Sequence, residues 1–237
     1  MLTFTRNKLN DKLIMNNFDW FQLLNPEFYI TLTIGGVQVG LYLVLFIIFA
    51  ETGLFAGFFL PGDSLLFLSG IYSKNLIGNV LVIENNFINV VLLALLIAIS
   101  GILGNTIGYW FGAKSGYYLF KKEDTFWFKK KYLIQSEDFF EKYGGKAIIY
   151  ARFLPIFRTF APIVAGIVSM DKKRFMFFNT VSSFLWSFIL VFSGHYLYDI
   201  FLNYGIDLKS HIEKIVIGII LISTLPVLLK LLKKSSN

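Results

Sequence analysis

ARFLPIFRTFAPIVAGIVSM, Ala151–Met170, is the stretch on which the reading of the fold turns. It carries Arg152 and Arg158, Pro155 and Pro162, and Gly166 in an otherwise almost wholly apolar run. Two full charges and two helix breakers do not belong in a simple membrane span or in an ordinary core helix. A proline removes a backbone donor and interrupts the helix. The freed backbone groups survive at membrane depth only when buried in protein or lining a wet cavity. The stretch, taken with its lead-in as Ala147–Ser169, therefore reads as a re-entrant hairpin. A second run has the same design: GLFAGFFLPGDSLLFLSG, Gly53–Gly70, is cut by Pro61-Gly62-Asp63.

The rest of the chain supplies the membrane context. Of 237 residues, 56% are hydrophobic and 18% aromatic, above the roughly 45–50% apolar content of soluble domains. Spans of about 20 or more apolar residues, enough for about 30 Å of hydrocarbon, are read near Phe28–Ala50, Phe87–Phe111, Phe175–Phe201 and Ile212–Leu232. The expected fold is an all-α polytopic membrane protein, with four transmembrane helices plus two re-entrant helical hairpins in an inverted repeat. Residues 1–27 form an N-terminal interfacial segment, with Trp20 and Phe21 among its aromatic anchors. They hold no cleavable signal pattern, so the first hydrophobic helix is expected to act as its own insertion signal. The membrane domain is read over 28–232 and a cytoplasmic tail over 233–237.

The formal net charge is +7, and its placement tests the topology. Basic residues crowd the 113–146 linker, the Lys172-Lys173-Arg174 loop and the C-terminal Lys230, Lys233 and Lys234. The segments around 72–86 and 202–211 hold only Lys74 and Lys209. If both hairpins return to their own side, every basic segment and both termini fall in the cytoplasm, as the positive-inside rule requires. This placement argues against a nucleic-acid surface. The absence of cysteine excludes disulfides and thiolate chemistry, and two histidines, His195 and His211, make a histidine-rich metal centre a poor expectation. No cofactor and no metal is expected.

Glu51, Asp63, Arg152 and Arg158 lie within or at the mouth of the hairpins. A charge at the centre of a span costs about 2.5–3.5 kcal/mol on insertion scales, so the four are expected to share a polar cavity in which each acid sees an arginine. One reading is a structural ion cluster that pins the hairpins together, although buried pairs rarely add net stability over apolar packing. The other is an anion site. Arg152 and Arg158, with the Thr159 hydroxyl, would hold a phosphate, because a guanidinium stays charged and offers a planar fork of donors. Glu51 and Asp63 would couple protons, since a carboxylate poised between desolvation and arginine charge can exchange one. Pro61, Gly62, Pro155, Pro162, Gly166 and Asn105 are assigned to shaping the broken helices, with Asn105 also within reach of the cavity. Gly104, Gly108 and Gly112 form a small-residue ladder that reads as close helix packing. Trp186, beside Ser182, Ser183 and Ser187, reads as packing, as does Gly194, and His195 reads as a satisfied polar residue near a helix end.

These residues carry a resemblance. Arg152-Phe-Leu-Pro155-x-x-Arg158-Thr159-x-x-Pro162-x-x-Ala165-Gly166 resembles the signature of the DedA family, the bacterial branch of the SNARE-associated, VTT-domain membrane proteins. Glu51 followed by Asp63 within F-x-P-G-D is similar to the family's first hairpin. G-N-x-x-G-Y-W-x-G at Gly104–Gly112 is similar to the helix that follows, and Trp186 and Gly194 match a W-x7-G pattern. His195 departs from a position where tyrosine is usual, and Tyr198 from one where glycine is common. The resemblance covers roughly residues 35–200. It implies an inner-membrane protein with two re-entrant hairpins in an inverted repeat, tied to membrane homeostasis, pH tolerance and drug resistance. It further implies lipid movement, above all return of the undecaprenyl phosphate carrier to the cytoplasmic leaflet. Phosphatidylethanolamine is an alternative cargo, and eukaryotic relatives scramble phospholipids. It implies functional roles for Glu51, Asp63, Arg152 and Arg158, with proton-motive coupling.

The expected activity is therefore that of a flippase-type transporter of undecaprenyl phosphate or a related lipid phosphate, coupled to protons. It is not read as an enzyme: no histidine sits beside the arginines and no acid-rich metal motif is present. The expected partners are a membrane lipid, either polyprenyl phosphate or phospholipid, and protons, with no nucleic acid. Self-association as a homo-oligomer stays open. The rival readings are a phospholipid scramblase or flippase, a proton or small-ion antiporter, and an organiser of other membrane proteins.

Overall fold

The fold is described from a computed structural model over residues 26–53, 62–121, 138, 140–153 and 155–205. Several expectations fall outside these residues: most of the N-terminal segment, Pro61, the lysines at 122 and 129–131 of the basic linker, His211, the Ile212–Leu232 span and the 233–237 tail.

The first apolar run is not a single helix over Phe28–Ala50. A short helix α1, Pro26–Thr31, is followed by a two-stranded hairpin of β1, Thr33–Ile34, and β2, Val37–Gln38. Only then does α2 begin, at Gly40–Gly53. The cause lies in Gly35-Gly36, whose φ angles are +60° and +85°. Two consecutive left-handed residues make the tight turn that suits a two-residue hairpin, with Ile34 facing Val37. The 14 residues of α2 reach about 21 Å at 1.5 Å per residue, short of the hydrocarbon thickness.

Two short helices come next, α3 at Gly62–Ile71 and α4 at Ser73–Gly78. The two long helices hold the molecule together. α5 runs over Asn86–Lys121, and its first turn is capped by Asn85, whose Oδ1 accepts from the amides of Phe87 and Ile88 at 2.9 and 3.3 Å. α8 runs over Lys172–Asn203 and is capped by Asp171, which accepts from the Arg174 amide at 2.8 Å. Their apolar stretches, Asn86–Ser115 and Lys172–Asn203, are each long enough to cross a membrane. Ile99, Leu103, Ile107 and Trp110, spaced about one turn apart on α5, point outward, as do Leu185 and Ile189 on α8. An outward apolar stripe on an apolar helix is suited to lipid rather than water. The spans read near 87–111 and 175–201 are thus present as helices.

Between them the opening stretch folds as two helices. α6, Lys146–Arg152, ends one residue before the break, and α7, Pro155–Ile167, starts on its proline. Proline fits a first turn because the missing amide has no intrahelical partner there. Pro162 lies inside α7 and leaves the Arg158 carbonyl without its helical donor. Ser169 then turns the chain with φ +54° into α8.

The core lies between α2, α3, α5 and α8, around Val44, Ile48, Leu65, Leu68, Leu93, Ile97 and Val191. A smaller cluster of Ile148, Ala165 and Phe175 joins α6, α7 and α8. The glycine ladder packs as expected: Gly104 against α2, and Gly108 and Gly112 against Ile163 of α7. Gly166 in turn meets the Tyr109 carbonyl of α5, and Gly194 the Phe67 carbonyl of α3. Backbones approach this closely only where no side chain intervenes.

Candidate functional site: a buried acid and arginine cluster

The break between α6 and α7 delivers both arginines to one place. Arg152 sits in the last turn of α6, where a cation complements the helix dipole. On α7 the buried positions are Arg158, Thr159, Pro162, Ile163, Ala165 and Gly166, while Phe157 and Phe160 face outward. This 3–4 spacing makes one inward face, and Arg158 and Thr159 head it. From the other side, α2 brings Glu51 near its C-terminal end, and α3 brings Asp63 in its first turn, where an acid is favoured.

Arg158 joins the two halves. Its Nη1 donates to Asp63 Oδ1 and its Nη2 to Glu51 Oε1. Glu51 is fully buried and Arg158 is 7% exposed, whereas Asp63 keeps 20% of its side chain accessible. Trp186 of α8 completes the cluster. Its indole Nε1 donates to the same Asp63 Oδ1 at 2.9 Å. The guanidinium carbons of Arg152 and Arg158 lie 5.0 and 5.3 Å from its ring centre. Both cations thus lie against one aromatic ring, an attractive arrangement when desolvated.

Each acid does see an arginine, and it is the same one. Among the described residues, both acids pair with Arg158 and neither with Arg152. Arg152 instead meets α5, with Nη1 2.5 Å from the Asn105 amide. The Asn105 oxygen accepts that bond when the amide is turned so that its nitrogen donates to the Thr52 carbonyl at 3.2 Å. The Asn105 and Asn179 amides also meet, at 2.7 Å.

The remaining site residues divide by what they touch. Asn105 belongs to the cluster. Thr159 is buried beside Arg158, but no hydrogen bond among the described residues ties its hydroxyl to the charges. Gly62 is required by space, because a Cβ there would run into the Glu51 carboxylate. Pro155 and Pro162 shape α7, and Gly166 seats it on α5.

Trp186 is more than the packing residue it was read to be, and Asn179 escaped notice altogether. Their signal was a stripe of Asn179, Ser182, Ser183, Trp186 and Ser187 on an apolar helix. All five are buried on one face. Among the described residues no three His, Asp or Glu are arranged to hold a metal ion.

Residues 60–196 match the family model described as the VTT domain. Protein DedA of Escherichia coli (strain K12) is 34% identical over 212 residues, covering 89% of this chain and 91% of that protein. The chain belongs to the DedA family of VTT-domain membrane proteins. A second family relative, inner membrane protein YqjA of E. coli (strain K12), is 34% identical over 174 residues, 72% of this chain and 74% of its own. An uncharacterised membrane protein of Mycobacterium tuberculosis (strain ATCC 25618 / H37Rv) is 38% identical over 186 residues, 78% of this chain and 75% of its own. No solved structure matches the chain significantly. The VTT match contains Asp63, Arg152, Arg158 and Trp186, while Glu51 reaches the same cluster from upstream of it.

Proposed function

We propose that this protein is a proton-coupled transporter of a lipid phosphate across a bacterial inner membrane, with undecaprenyl phosphate the first candidate cargo. The supporting observation is the cluster itself. Glu51, Arg152 and Arg158 are buried, and Asp63 half-buried, where α6 and α7 meet α2 and α3, in a chain with apolar helices long enough to span. A lipid phosphate cannot cross hydrocarbon unaided, because its charge would be desolvated. Buried arginine offers the compensating charge while the polyprenyl chain stays in the bilayer. Glu51 and Asp63 share Arg158. Protonating either one would loosen the tie between α3 and α7 or between α2 and α7, and so bias the site between its two faces. No chemical step is assigned to the protein.

The test uses purified protein in liposomes with undecaprenyl phosphate in one leaflet, with and without a pH gradient. Wild type is expected to accelerate crossing, Arg158→Ala to abolish it, and Glu51→Gln to remove its response to the gradient. Crossing no faster than in empty liposomes rejects the cargo. Parallel runs with phosphatidylethanolamine and with ion-sensitive dyes separate a scramblase from an antiporter.

A further inference from the structure

The two arginines are not equivalent. Arg158 has both terminal nitrogens committed to carboxylates. Arg152 is 3% exposed and pairs with no acid among the described residues. Its Nη1 is taken by Asn105, but Nε and Nη2 have no hydrogen-bond partner among the described residues. Those two nitrogens form one edge of the guanidinium, the pair of parallel N–H groups that grips two oxygens of one anion. Leaving both unmet in a buried position is costly, unless a ligand completes them.

This edge is buried and lies against α5. Nη2 points to α5 at Gly101, where a Cβ would lie only 2.6 Å from it. The same point is 3.9 Å from the Ser183 hydroxyl of α8. A backbone without a side chain and the Asn105 amide therefore border the unpartnered edge, and the Trp186 ring centre lies 5.0 Å from the guanidinium carbon.

We propose that Arg152, through its Nε and Nη2 edge, is the residue that grips the phosphate, with Asn105 holding the guanidinium in place. Arg158 instead serves as the counter-ion that ties α2 and α3 to α7. The ligand class is a phosphate monoester on an alkyl chain, which rests on the lipid-phosphate reading above. The division of labour follows from hydrogen-bond capacity. Arg158 keeps only Nε without a partner among the described residues, so a two-pronged grip there would displace Glu51 or Asp63, whereas Arg152 still offers a paired Nε and Nη2 edge. Gly101 acts as a size gate, because any side chain there would occupy the space next to Nη2.

The experiment measures binding apart from transport. Full-length protein in a neutral maltoside detergent is titrated calorimetrically with dodecyl phosphate and, in a separate arm, with inorganic phosphate. Arg152→Lys keeps the charge but loses the fork, and is expected to weaken dodecyl phosphate binding by about tenfold or more. Gly101→Ser leaves every charge in place and is expected to weaken it similarly. Asn105→Ala is expected to weaken it less and to lower the melting temperature modestly, because it strands the buried Arg152 Nη1 donor. Arg158→Lys, which keeps a cation facing the acids and leaves the Arg152 edge untouched, is expected to change affinity by less than about threefold.

The proposal fails if Arg158→Lys loses binding while Arg152→Lys and Gly101→Ser retain it, or if the wild type binds neither ligand. Equal affinity for both ligands keeps the site at Arg152 and makes free phosphate its source. Binding through Arg152 without any crossing of undecaprenyl phosphate in liposomes leaves the site standing and rejects the transport reading.

Discussion

Removing Arg158 should unsettle the fold far more than removing Arg152, although both are buried arginines over the same tryptophan. Arg158→Met leaves Glu51 and Asp63 buried or half-buried without a cation. Stripping one partner from a buried pair costs about 3–5 kcal/mol. With two carboxylates orphaned at once, a loss of about 5 kcal/mol is expected. For a chain of this size, each kcal/mol moves the melting temperature by about 2–4 °C, so a fall of about 10–20 °C follows. Arg152→Met loses the Asn105 bond and one cation–π contact, each worth about 1–2 kcal/mol. It also relieves two buried donors that have no partner among the described residues, so its net shift should stay below about 5 °C. Thermal unfolding followed by tryptophan fluorescence in detergent reads both variants. The triple change Arg158→Met, Glu51→Gln, Asp63→Asn should recover most of the lost stability, because it removes the stranded charges together. Equal destabilisation by the two arginine variants, or no recovery in the triple variant, would refute the pairing scheme.

Three further outcomes are expected. Gly62→Ala should drive a methyl group into the Glu51 carboxylate, costing about 1–3 kcal/mol and slowing lipid crossing, and an unchanged melting curve and crossing rate would argue against that contact. Trp186→Phe keeps an aromatic ring beside both arginines but deletes the 2.9 Å bond to Asp63. It should cost about 1.5–3 kcal/mol, against a larger loss for Trp186→Ala, and the two can be ranked by chemical unfolding. Replacing both Gly35 and Gly36 by alanine should cost about 1–2 kcal/mol at each left-handed position, visible as faster proteolysis near residues 33–38 with lipid crossing preserved.

The charged site was legible because the membrane makes ionisable residues conspicuous. Glu51, Asp63, Arg152, Arg158 and Asn105 were all singled out in the sequence, and they meet in space. Pro155 marked the helix break because its effect on backbone geometry is local. The glycine ladder at 104, 108 and 112 announced close packing for the same reason. The first span was misread because Gly35-Gly36 sits inside a run whose hydropathy suits a continuous helix. Hydropathy counts side chains, whereas two left-handed glycines act on the backbone. Trp186 was misread because an aromatic residue in an apolar helix looks like packing until the direction of its indole N–H is known.

The sequence by itself determined a membrane protein of long apolar helices, with interruptions at proline and a small set of buried charges. Hydrophobic length, charge placement and proline geometry are properties of short segments. Only the tertiary structure decided which charge faces which. Glu51 and Arg158 are 107 residues apart, and Asp63 and Trp186 are 123 apart. Their meeting depends on how α2, α3, α7 and α8 pack around α5. A guanidinium can serve only a few oxygens, so giving both acids to Arg158 left Arg152 with an open edge, an outcome that no local pattern could settle.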